Sequence, residues 1–356
     1  MATEVQKVMQ DRRAALAERL RTESVDLAII GPGANFSYFT GRRPISTERL
    51  LALLVTANGS CQLIAPELQA PLYNDIAGVQ LATWRDGEQP ADLLLEQITA
   101  CKAQRIAVND EFYSGFLLAL QAGEDRQFVS GERTIDAARA VKQDHEISAL
   151  ARAAEAIDET WQQFCASCGP LAGQSEFALR TRLQQLMQRV GFSEISWIDV
   201  GAGANGASPL HHGSDYVIGA DEPVVFDFAG CFDGYYGDIC RVALTGTPPD
   251  EYQALYDLVL SAQQTACRAV RPGVSAQQID AVARQQIADG GFGDYFTHRI
   301  GHGIGLAAHE SPWIVAGNPQ PLAAGMAFSL EPGVYIPGRW GVRIEDILVV
   351  TAQASR

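Results

Sequence analysis

The stretch VVFDFAGCFDGYYGDICRVAL, residues 224–244, holds two apolar strand-like runs on either side of Asp233-Gly234. Asp-Gly between alternating apolar runs is a strong hairpin signal. With Cys231–Gly234 as the loop, Asp227 falls opposite Asp238, their Cβ atoms about 4.5–5.5 Å apart, and two ionised carboxylates so placed repel. A second stretch, SLEPGVYIPGRWGVRIED at 329–346, repeats the arrangement. Its turn lies at Pro337-Gly338, and a loop of 337–339 puts Glu331 opposite Glu345. A strand acid can point to water, but two facing pairs among apolar neighbours are better explained by cations between them. Carboxylate oxygens joined by an imidazole suit Mn²⁺, Co²⁺, Zn²⁺ or Fe²⁺, and two bridging carboxylates suit a pair of ions about 3.5–4 Å apart.

The histidines supply the expected imidazole. Five of the six lie between 211 and 309, namely His211, His212, His298, His302 and His309. In THRIGHGIGLAAHESP (297–312) the glycines 301, 303 and 305 leave the backbone open around His302, the expected fifth ligand. The other reading of such glycines is a phosphate loop, which would require GxxxxGK[ST], and the sequence has none. His309 by itself reads as a surface histidine.

Outward from this region, the first third of the chain alternates helices and strands. An amphipathic helix fits 11–22, strands fit 25–30, 50–56, 61–65 and 105–109, and a helix fits 91–101. The polar run 130–137 marks a junction. Beyond it, helices fit 142–165, 174–190, 250–270 and 275–289, with strand-like runs at 216–218, 223–228, 235–244, 326–336 and 341–350. This predicts an α/β domain over 1–136 and a domain of helices with an antiparallel sheet over 137–356.

Composition narrows the partners. The chain has 42 acidic against 27 basic residues and a formal charge of −15. A nucleic-acid binder needs clustered Lys and Arg to neutralise phosphates, and an anionic membrane surface makes the same demand. No stretch reaches about 18 consecutive apolar residues, and the N-terminal residues lack the apolar block of a secretory signal. Seven scattered cysteines fit reduced thiols in a cytoplasm. The pair Cys165 and Cys168 has no second partner pair, which speaks against zinc, and GPGANF at 31–36 is no dinucleotide fingerprint.

Asp227, Asp238, His302, Glu331 and Glu345, in this order and context, resemble the five-ligand dinuclear set of the M24 peptidases, the pita-bread metallopeptidases. GHGIGLAAHESP, SLEPGVY and GVRIED are most similar to the Xaa-Pro branch, prolidase and aminopeptidase P. DLAIIGPGANFSYFTG (26–41) resembles a creatinase-type N-terminal domain, and AVKQDHEISALARAAEAID (140–158) resembles the start of the catalytic domain. The resemblance implies that Asp227 chelates one ion, His302 and Glu331 hold the other, and Asp238 and Glu345 bridge them. A hydroxide bridging the ions attacks the scissile carbonyl, Glu331 shuttles its proton, and His309 donates to the oxyanion. His211 contacts substrate, and His298, Tyr335 and Arg343 surround the proline. Two divalent ions are implied, manganese first, in a cytoplasmic homodimer acting on proline-containing dipeptides or short peptides.

One departure is local. His211 precedes Asp227 by 16 residues where 17 is commoner, so His211 and His212 both remain candidates for the site. A dipeptidase must also neutralise the substrate's carboxylate, which arginine does best, and Arg42, Arg43 and Arg49 stand together in one loop. Prolidase activity is the expectation. The alternatives are an aminopeptidase P for longer Xaa-Pro-Yaa peptides, a creatinase-like amidinohydrolase, which would lack the metal set, and a pita-bread binding module without catalysis.

Overall fold

Contacts divide the chain into two units, Met1–Arg139 and Ala140–Arg356. The computed structural model describes residues 2–122 and 126–352. In the first unit the elements are α1 (Ala2–Thr22), β1 (Leu27–Ile30), α2 (Ala34–Thr40), β2 (Ala52–Thr56), β3 (Cys61–Pro66), β4 (Gln80–Trp84), α3 (Pro90–Ala100), β5 (Arg105–Val108), α4 (Ser114–Gln121) and β6 (Gln127–Ser130). They form one mixed sheet in the order β4-β3-β2-β1-β5-β6. The central strand β1 is parallel to β5 and antiparallel to β2. All four of its residues are buried, as the unbroken apolar run LAII requires of a strand covered on both faces.

The second unit contains α5 (Asp144–Ser167), α6 (Glu176–Val190), β7 (Glu194–Ala202), β8 (Pro223–Phe232), β9 (Tyr235–Leu244), α7 (Asp250–Ala269), α8 (Ala276–Asp289), β10 (Gly301–Gly303), β11 (Glu310–Ile314), β12 (Ala327–Leu330), β13 (Gly333–Ile336), β14 (Trp340–Arg343) and β15 (Asp346–Val349). Its sheets are antiparallel throughout: β7-β8-β9, β11-β10-β12-β15 and β13-β14. Each half has its own helix pair and its own core. Ile157, Phe164 and Leu183 of α5 and α6 pack on Phe226 and Phe228 of β8. Leu255, Val259, Ile279 and Ala283 of α7 and α8 pack on Phe328 and Val342. The helix starts are capped locally, by Gln143 with Glu146 on α5 and by Ser275 with Gln278 on α8.

The registers refine the sequence reading. Asp233 and Gly234 close the β8–β9 turn by themselves, both with positive φ (50° and 87°), as a two-residue hairpin turn demands. Phe232 therefore pairs with Tyr235, and Asp227 faces Cys240 rather than Asp238. The shift is two residues, so both aspartates stay on one face, as diagonal neighbours. The acid that does face Asp227 is Asp199, on β7, a strand missed in the sequence reading. In the other pair, Ile336 meets Trp340 and Leu330 meets Asp346. Glu331 and Glu345 sit at the break between these two ladders, where the Glu345 N–H donates to the Cys240 carbonyl (3.2 Å).

The glycines around His302 serve close packing rather than openness. A Cβ on Gly301 would lie 1.9 Å from the Ser329 carbonyl oxygen, and one on Gly303 would lie 2.3 Å from that of Ser311. Only bare backbone fits β10 between its neighbours. The loop from β10 to β11 is anchored by a buried ion pair, in which Lys142 Nζ donates to Glu310 Oε1 (2.9 Å) with both side chains 2% exposed. Removing one partner of such a pair leaves an uncompensated buried charge, at a cost of about 3–5 kcal/mol. Urea unfolding of Lys142→Met should show a loss of that order, and the double variant Lys142→Met/Glu310→Leu should recover most of it.

Candidate active site

Five side chains converge where the two halves of the second unit meet. Asp227 and Asp238 come from the β8–β9 hairpin, His302 comes from β10, and Glu331 and Glu345 come from the breaks after β12 and β14 in the other half. Ligand atoms of Asp227, Asp238 and Glu345 lie within 4.8 Å of one another, as do those of His302, Glu331 and Glu345. Asp238, His302 and His309 form a third such group. These residues line a cavity of about 690 Å³ together with Trp197, Asp199, Leu210, His212, His298, Arg299 and Arg343.

Burial governs the electrostatics here. Asp238 is 1% exposed, and neither of its carboxylate oxygens has a hydrogen-bond partner. Burial first, then the charges of Asp227 and Glu331, hold its pKa well above the ordinary range. Burial and Asp238 do the same to Glu345. Glu331 is pushed up to about 8 by burial, against the pull of Arg343. Asp227 is well served by protein groups. Its Oδ2 accepts from Arg343 Nε (2.7 Å) and its Oδ1 from Trp197 Nε1 (2.6 Å).

The imidazoles are held in defined tautomers. His302 Nδ1 lies 3.1 Å from the Gly303 carbonyl oxygen, which only accepts, so Nδ1 carries the proton. The Nε2 lone pair then faces Asp238 and Glu331, at 3.7 and 3.5 Å, too far for hydrogen bonds. Burial lowers the pKa of His302 to about 3, so the ring is neutral. His298 follows the same logic. Its Nδ1 donates to the Arg299 carbonyl (2.6 Å) and its Nε2 accepts from Tyr335 Oη (2.9 Å). Tyr335 in turn accepts from Arg343 (2.6 Å). Burial lowers the His298 pKa to about 4.

Two of the expected residues, His211 and Tyr335, are not in the cavity wall. His211 turns away and bonds the fully buried Glu176 (2.7 Å), which also accepts from the Ala202 N–H and Ser214 Oγ. His212 lines the cavity instead, with Nδ1 2.5 Å from Asp199 Oδ1. Tyr335 is 5% exposed and supports His298 and Arg343 from behind. His309 lies at the cavity, its ring 4.1 Å from that of His302 and 5.1 Å from that of Trp197. Within the first unit, Arg42 pairs with Asp75 and Arg49 with Asp86. Arg299 was not singled out in the sequence, although it stands beside His298 in the same glycine-rich segment. It lines the cavity with its guanidinium 4.4 Å from the centre of the Trp313 ring.

Residues 148–352 match the sequence pattern of metallopeptidase family M24, and residues 12–141 match that of the creatinase/prolidase N-terminal domain. The chain belongs to metallopeptidase family M24. Over 351 residues it is 37% identical to a protein of Mycobacterium tuberculosis named probable dipeptidase PepE, covering 97% of this chain and 92% of that one. The crystal structure of dipeptidase PepE from Mycobacterium ulcerans superposes with a TM-score of 0.92 at 38% identity, over 99% of this chain and 95% of that one. A recombinant prolidase from Thermococcus sibiricus superposes at 0.89 and 32%, over 98% and 94%. This M24 protein is thus a prolidase-like peptidase with a creatinase-like first domain and a pita-bread second domain.

Membership implies divalent metal ions, and the residues present fit them. A buried carboxylate without hydrogen-bond partners is costly as an anion unless a cation pairs with it, and the His302 tautomer presents a lone pair to the same place. The pH dependence of stability has a defined sign. The raised carboxyls stay protonated in the folded chain at a pH where the unfolded chain has released their protons, so folding stability falls as pH rises through their folded pKa values. His298 and His302 act oppositely, but only below their ordinary value of 6.5. Chelator-treated protein should therefore lose melting temperature between about pH 7 and about pH 9. Added divalent ion should abolish that loss in the same thermal scans.

Proposed function

We propose that this M24 peptidase hydrolyses the bond preceding proline in Xaa-Pro dipeptides, with two divalent cations held by Asp227, Asp238, His302, Glu331 and Glu345. The observation that carries the reading is the buried, partnerless carboxylate of Asp238 among three other acids and a neutral imidazole. The printed names of the relatives, dipeptidase and prolidase, support the substrate class. Manganese is the proposed ion. When bound, the ions would supply Lewis acidity and an activated water.

The chain's own residues do the rest. Glu331 accepts a proton from the attacking water and returns it to the leaving amine, as a general acid–base group does. His309, whose pKa is lowered by desolvation in the cavity and by the Arg299 charge, donates its N–H to the carbonyl oxygen as negative charge develops there. His212 takes the role expected of His211. With Nδ1–H held by Asp199, it offers an Nε2 lone pair to the substrate. Arg299 meets the dipeptide's carboxylate in a planar, charge-assisted contact. His298, fixed by Tyr335, borders the proline ring. The seven free cysteines support a reducing cytoplasm, and a homodimer is the proposed assembly.

The cavity, at about 690 Å³, exceeds what a dipeptide fills, and this favours a second reading in which longer Xaa-Pro-Yaa peptides are cleaved. Kinetics separate the two. With Mn²⁺ added, the purified chain should hydrolyse Xaa-Pro faster than Xaa-Pro-Yaa, and the reverse order would establish the aminopeptidase. Arg299→Ala should raise KM for the dipeptide about tenfold or more, the equivalent of one lost hydrogen bond to a charged group, and should spare the tripeptide. Asp238→Asn should abolish both activities and lower the metal content measured by mass spectrometry. An untreated chain with neither metal nor Mn²⁺-stimulated hydrolysis would instead be a binding module.

A further inference from the structure

Behind the cavity, on α8, lies a charged pair with no part in the chemistry described so far. Asp280 is 1% exposed. It accepts from Arg284 Nε (2.8 Å) and Nη2 (2.9 Å) in a two-pronged contact one helical turn apart. Arg284 then spends two further donors on the chain beyond the helix. Nη1 donates to the Phe296 carbonyl (2.9 Å) and Nη2 to the His298 carbonyl (2.8 Å). Its guanidinium also lies 4.2 Å from the centre of the Phe296 ring. Four of the five N–H donors of an arginine are thus committed to one acid and one irregular segment.

That segment, 296–299, belongs to no helix or strand, yet it delivers both His298 and Arg299 to the cavity wall. Irregular backbone must find partners for its carbonyls outside a regular ladder, and here Arg284 provides two of them. From His298 the contacts continue to Tyr335, then to Arg343 and then to Asp227. A planar fork with a fixed spread holds two carbonyls at a set spacing, which a lysine's single ammonium cannot do.

We propose that Asp280 and Arg284 are positioning residues for proline recognition: they hold the 296–299 segment so that His298 and Arg299 meet the substrate. The inference rests on the Xaa-Pro reading above. Neither residue touches substrate or metal, so the expected effect falls on substrate affinity and selectivity and leaves metal loading alone.

The test compares wild type with Arg284→Gln, Arg284→Lys and Asp280→Asn, all loaded with Mn²⁺. KM and kcat are measured for an Xaa-Pro dipeptide, and the inhibition constant is measured for the matching Xaa-Ala dipeptide as competitor. Arg284→Gln should raise KM for Xaa-Pro about tenfold, as for one lost hydrogen bond to a charged group. Its kcat should stay within about twofold, metal content should match wild type, and the Xaa-Ala inhibition constant, which shares only the carboxylate contact, should rise clearly less than KM for Xaa-Pro. Arg284→Lys and Asp280→Asn should fall between, and they carry the test alone if Arg284→Gln does not fold. Folded variants with wild-type KM overturn the proposal. So does an equal loss of affinity for Xaa-Pro and Xaa-Ala, or a loss of melting temperature alone, since each marks a merely structural pair. Wild type that fails to cleave Xaa-Pro overturns the functional reading instead, and the two failures are told apart by that control.

Discussion

A carboxylate taken out of water without a partner is among the least tolerable groups in a folded protein. Asp238 is such a group, and much of the second unit can be understood from its presence. Its neighbours do not relieve it: Asp227 spends its oxygens on Arg343 and Trp197, and Glu331 and Glu345 add to the charge around it. The protein has gathered acids that either hold their protons or need a cation between them, and has withheld hydrogen-bond donors from Asp238. Preorganisation of this kind trades stability of the metal-free state for a site that needs no rearrangement when ions arrive.

The surrounding structure keeps these groups from drifting. β10 is pressed between two neighbours so tightly that only glycine fits on either side of His302. The Gly303 carbonyl fixes the His302 tautomer, the Arg299 carbonyl fixes that of His298, and Asp199 orients His212. Two of these partners are backbone carbonyls, and the third is a short carboxylate placed by the β7–β8 register. The row Asp199, Asp227, Cys240, Glu345 runs straight across adjacent strands, so one sheet direction organises the acids and the wall of the cavity together.

Much of this was legible in the sequence. Carboxylates among apolar strand residues, a histidine between glycines and the helix periodicities pointed to the architecture and to the five converging residues. Register was less legible. The β8–β9 pairing depends on how many residues the turn uses, and composition does not say whether Cys231 belongs to the strand. The error was harmless because a slip of two residues preserves the face. β7 is hard to read because EISWIDVGA alternates imperfectly, with Ile198 directly after Trp197 and an acid, Asp199, in its second half. His211 and His212 were indistinguishable in sequence because the choice is made by Glu176, remote in the chain and buried. The glycines were noticed for the wrong reason, since what they accommodate is a neighbouring strand that no local pattern reveals.

The two halves of the second unit each close a separate apolar core. Asp227 and Asp238 stand on one half, and Glu331 and Glu345 on the other, so the surfaces that must join carry like charge. A small apolar cluster of Leu150, Cys231 and Tyr236 with Ile304 and Ala327 joins the halves, and Arg343 reaches across to Asp227. The body of the second unit is thus held together by its own side chains, and what a divalent ion would add is relief of the acids crowded at the seam.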